Sequence, residues 1–97
     1  MDSTTNVAKL KKLMEDFVQE RDWEQFHNPK DLSISLAIEA AELMEIFQWK
    51  EHKPPSEIKK DEKMMDKIRE ELADVILYSL AIANRLDIDV PSAVEQK

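Results

Sequence analysis

The sequence contains no glycine and no cysteine. Without glycine there is no Gly-rich phosphate loop, no dinucleotide fingerprint and no nucleophile elbow. Tight primed hairpins, which want Gly or Asn at positive φ, are disfavoured too. Without cysteine there are no disulfides, thiolate zinc sites or cysteine nucleophiles, which fits a cytoplasmic protein. The opening MDSTTNVAKLKK has no apolar secretory core. No apolar run approaches the ~20 residues of a membrane span. Basic residues are in deficit, 14 against 21 acidic, for a net charge of −7. A surface of that sign repels nucleic-acid backbones, so a nucleic-acid polymer is excluded as a general partner.

What is present reads as helix. The 97 residues (1–97) suggest one domain with a modest core, completed by oligomerisation. Pro29, Pro54-Pro55 and Pro91 punctuate three long blocks and a short tail. The first block, about Asn6 to Arg21, repeats Val7, Leu10, Leu13, Met14, Phe17 and Val18 at helical spacing, with Thr4, Thr5 or Asn6 to cap it. The second, Asp31 to Trp49, is apolar nearly all round and requires burial on several sides; Asn28 and Pro29 suit its start. Lys50 to Lys63 is polar and reads as a loop. The third block, about Asp61 to Leu86, resumes the helical period. A fourth helix of barely two turns begins at Pro91, too short to be stable alone, which suggests a truncated chain or a helix docked on a neighbour.

Two carboxylate pairs stand out. Glu39 and Glu42 lie three apart in the most apolar stretch, and Glu71 and Asp74 repeat the spacing among Leu72, Ala73, Val75 and Ile76. Like charges one helical turn apart repel, more so when desolvated. If the two helices pack antiparallel, the four groups converge, and within these stretches only Arg69, at the start of the second, is basic. A divalent cation is the simplest counter-charge, and an all-oxygen ligand set selects Mg²⁺ or Mn²⁺. A single E-x-x-E occurs often on solvated helix faces; two pairs in apolar runs carry more weight. A di-iron bundle needs Glu-x-x-His on two helices, and only Glu24 to His27 has that spacing.

The aromatics are few. Phe17 and Phe47 fall on core stripes. Trp23 and Trp49 stand just outside helices, a position that suits plugs for helix ends, and Tyr78 follows Asp74 by one turn. Rings one turn from a metal cluster can also sandwich a planar base.

SLAIEAAELMEIFQW, followed after the polar loop by EELADVILYSLAIANRLDIDVPSAVEQK, resembles the MazG-like all-α nucleoside triphosphate pyrophosphohydrolases. RDWEQFHNPKDL is similar to the branch that includes dCTP pyrophosphatase. The resemblance runs from about Arg21 to Lys97. It implies a homo-oligomer, dimer or tetramer, that releases pyrophosphate from a nucleoside triphosphate with Mg²⁺. Carried over by motif, the metal ligands fall on Glu39, Glu42, Glu71 and Asp74. The base pocket falls on Trp23 through His27, Trp49 and Tyr78, and a phosphate-side lysine on Lys97. Relatives often place glycine where this chain has Ala41, and they continue past Lys97 into an Asn-bearing segment that contacts phosphate.

An acidic protein can hold a polyanion through cations that bridge carboxylate and phosphate. Glu39 is favoured over Glu42 as acceptor of the water proton, and Lys97 or Lys50 as neutraliser of the outer phosphates. The competing readings are a non-enzymatic helical oligomerisation module and a phosphoribosyl-ATP pyrophosphatase-like enzyme, which needs no aromatic base pocket.

Overall fold

The computed structural model describes every residue except Glu24 and Phe26. The described chain is all-α, with five helices and no strand: α1 (Val7–Glu20), α2 (Pro29–Gln48), α3 (Pro55–Ile58), α4 (Glu62–Arg85) and α5 (Val90–Gln96). The helix starts have local causes. Asn6 caps α1 by accepting the Lys9 N–H at 2.9 Å, and Asn28 caps α2 by accepting the Asp31 N–H at 2.8 Å, with Pro29 in the first turn. Asp61 caps α4 through the Met64 N–H, and Asp89 caps α5 through the Ser92 N–H. Where glycine would ordinarily end a helix or turn the chain, Asp22 and Asp87 take φ of 53°. Asp is among the few residues that tolerate the left-handed region.

The expected loop between the second and third blocks holds a further element. Pro55 opens the single turn α3, because a fixed φ suits a first helical position and the lost N–H needed no partner there. The turn that leads into α5 is held to α1, where Lys11 Nζ donates to the Ile88 carbonyl at 2.8 Å, and α1 is tied to α4 by Asn84, which donates to the Lys11 carbonyl at 3.0 Å.

α2 and α4 form the main packed pair and α1 lies against α4. Ser35 lines a cavity with Tyr78 at one end of the pair, and Ile46 lines another with Met64 and Lys67 at the other end. The two helices therefore run antiparallel. The core is small and sits towards the C-terminal end of α4, where Met14, Val18, Leu32 and Ala81 are buried together and Leu77, Tyr78 and Ile82 pack around them. In α2 only Leu32 is buried. Phe17 and Phe47, expected in the core, are 40% and 39% exposed. Their helical period is right, but the chain has too few layers to cover both faces of its helices.

Candidate metal and nucleotide site

The antiparallel α2–α4 pair brings the carboxylates together. One oxygen each of Glu39, Glu42 and Glu71 lies within 4.8 Å of the others. Asp74 is near enough to act electrostatically on both Glu39 and Glu71. Two oxygens, Glu39 Oε2 and Glu71 Oε2, are shut off from solvent and receive no hydrogen bond. Loss of hydration pushes the Glu39 carboxyl from 4.5 up to about 7, with Glu42, Asp74 and Glu71 adding to it. Glu71 moves up for the same leading reason, helped by Glu42 and Asp74. An acceptor buried without a donor is costly. A divalent cation supplies what both oxygens lack, and hard oxygen ligands suit Mg²⁺-like ions. The residues therefore fit a metal.

One turn along each helix the surroundings become aromatic. Tyr78, one turn beyond Asp74, and Ser35, one turn before Glu39, line a cavity of about 270 Å³ with Trp23, His27, Asp31 and Leu32. Arg85 holds the loop against α4: its Nε donates to the His27 carbonyl at 2.8 Å. Burial, then the Arg85 charge, lowers the His27 pKa, which favours neutral imidazole. Trp23 meets Phe17 edge to face, centroids 5.5 Å apart, and lies 6.5 Å from the His27 ring. Arg21 sits 3.7 Å over the Phe17 ring. Trp23, His27 and Tyr78 thus share a cavity whose walls include residues one turn from Glu39 and Asp74.

The other anticipated residues are placed differently. Trp49 does not plug the end of α2. It is the C-cap residue, 86% exposed, and has no part in the aromatic cavity. Lys97 lines an apolar groove with Ile82, Ile88, Val90 and Val94, apart from the carboxylates. The Glu24–His27 spacing rests on Glu24, outside the described residues, and His52 is exposed on the loop.

On the far side of the cluster lies a cavity of about 680 Å³, bordered by Glu42, Glu45, Glu70, Glu71, Lys63 and Lys67, among others. Lys63 and Lys67 were not singled out from the sequence, although they sit four and eight residues before Glu71. That i, i+4 row was the available signal.

Comparison with known proteins bears on the family and the fold. The profile of the MazG-like family matches residues 34–97. The chain is 42% identical over 91 residues to dCTP pyrophosphatase 1 of Rattus norvegicus and 41% identical over 91 residues to that of Homo sapiens. Each alignment covers 94% of this chain and 54% of the relative, so the chain spans about half the length of these relatives. The crystal structure of a pyrophosphatase from Archaeoglobus fulgidus superposes with a TM-score of 0.80 at 35% identity, over 92% of this chain and 82% of the other.

Proposed function

The chain belongs to the MazG-like family, and on that footing we propose that it is a Mg²⁺-dependent nucleoside triphosphate pyrophosphohydrolase. It cleaves a (d)NTP to the monophosphate and pyrophosphate. The relatives named dCTP pyrophosphatase 1 favour a deoxycytidine nucleotide, and the reading includes house-cleaning of the nucleotide pool in the cytoplasm. No described helix is long and apolar enough to cross a membrane.

The observation that carries the proposal is the pair of stranded oxygens on Glu39 and Glu71, one turn from an aromatic cavity. Glu39, Glu42, Glu71 and Asp74 would hold the cation, with Mn²⁺ as an alternative to Mg²⁺. When bound, the cation neutralises phosphate charge, orients the α-phosphate and acidifies water. Glu39 accepts a proton from the attacking water as its oxygen bonds to the α-phosphorus. The bond to the bridging oxygen breaks, and its electron pair leaves with pyrophosphate. Trp23, His27 and Tyr78 hold the base. Trp49 and Lys97 complete the site from a second copy in the homo-oligomer, since within one chain neither lines the aromatic cavity or the cavity beside Glu42 and Glu71.

A nucleotide panel with Mg²⁺, read as pyrophosphate release, tests the activity. No release from any nucleotide would leave the helical oligomerisation module as the better reading. Trp49 has its own test. Base stacking contributes ~1–3 kcal/mol, so Trp49→Ala is expected to raise KM by roughly ten- to a hundred-fold. Its melting temperature should stay put, since the side chain is exposed. An unaltered KM would remove Trp49 from the site.

A further inference from the structure

We propose that Lys67, supported by Lys63 and Lys50, grips the outer two phosphates of the nucleotide and so selects triphosphates over monophosphates. The inference rests on the nucleotide reading above and adds a direction to it. Along one face of α4 the residues Tyr78, Asp74, Glu71, Lys67 and Lys63 follow one another at steps of three or four. Each four-residue step is about 6 Å of helix rise. Read towards the N-terminus, this face presents an aromatic ring, two carboxylates and then two cations. A nucleoside triphosphate has the matching order: a base, an α-phosphate that needs a cation bridge, and a charged tail. With the base at Tyr78 and the α-phosphate over Asp74 and Glu71, the β- and γ-phosphates arrive one turn further on, at Lys67.

The lysines are available for this. Lys50, Lys63 and Lys67 all line the cavity of about 680 Å³ beside Glu42 and Glu71. The ion pairs among the described residues are Lys12–Asp16, Arg21–Glu20 and Arg69–Asp66, so none of the three is engaged. Glu45, Asp61 and Glu70 line the same cavity, which makes it forbidding to a polyanion unless cations reach the charged tail. Lys67 is placed best, being on a long helix one turn from Glu71. Lys50 stands beyond the end of α2, and Lys63 lies in the first turn of α4.

The test is calorimetric, with the full chain and Mg²⁺. The probes are a non-hydrolysable α,β-methylene deoxynucleoside triphosphate and the matching monophosphate. A charged hydrogen bond to phosphate is worth enough that Lys67→Gln should weaken the triphosphate analogue by about ten- to a hundred-fold. Monophosphate affinity should stay within about twofold, and Lys67→Arg should restore most of the loss by keeping the charge. Lys60→Gln removes the same charge outside the cavity and should change neither affinity. Lys67 is exposed, so the variants fold. Unchanged triphosphate affinity, or equal losses for both probes, would overturn the assignment while leaving pyrophosphate release by the unaltered protein intact. Absence of release from every nucleotide by the unaltered protein would instead remove the reading on which it rests.

Discussion

Glu42→Gln and Asp74→Asn are each expected to lower Mg²⁺-dependent pyrophosphate release by on the order of 10³-fold, the upper range for losing one electrostatic element of an active site. The fold should survive, and without metal it should be firmer. Glu39, Glu42 and Glu71 crowd within 4.8 Å, and two of their oxygens are out of solvent with no donor. A neutral isostere relieves the repulsion, so the site is purchased at the expense of apo stability. The pH dependence has a definite sign. Glu39 is raised from 4.5 to about 7 in the folded chain, and Glu71 is raised as well. The folded protein then holds protons that the unfolded chain has released, so apo stability is fully present below about pH 4.5 and lost as pH rises through about 7. The apo melting temperature should fall across that window. Glu39→Gln should flatten the profile, and Mg²⁺ should raise the high-pH limb. A flat profile for the unaltered protein, or near-normal hydrolysis by both the Glu42 and Asp74 variants, would contradict the metal assignment.

The second large effect concerns assembly. Light scattering or sedimentation is expected to show a dimer or tetramer at micromolar concentration. Ile34 and Ile38 on α2 are 49% and 53% exposed, and Leu72 and Ile76 on α4 are each 46% exposed. Each pair is one turn apart, so each helix carries an open apolar stripe. A stable interface buries about 800 Å² per partner, drawn from patches of this kind. Ile38→Glu combined with Ile76→Glu should give a monomer. If these side chains faced water in the working protein, such surface changes would shift stability by only about 0.5 kcal/mol and leave the sedimentation unaltered. A monomeric unaltered protein would equally refute the prediction. Because Trp49 and Lys97 are proposed to act from a second copy, the monomeric variant should also lose nucleotide affinity.

Helices α1, α2 and α4, the Asn6 and Asn28 caps, the E-x-x-E and E-x-x-D pairs and the family could all be read from the chain. Each depends on spacing within a few residues, and helical periodicity and capping are local physics. The one-turn helix α3 escaped because Pro54-Pro55 signals a break as readily as a start. Phe17 and Phe47 kept their helical register but not their burial, since register says which way a side chain points and not whether anything covers it. Likewise nothing local distinguishes Trp49, largely open at the end of α2, from Trp23, half-exposed but set edge to face on Phe17 beside His27. The meeting of Glu39 with Glu71, the loss of solvent at one oxygen of each, and the alignment of Lys67 with a cavity were decided by the antiparallel docking of α2 on α4. Those groups are about thirty residues apart along the chain, and only packing brings their charges within reach of one another, so the electrostatics that make a site belong to the tertiary structure.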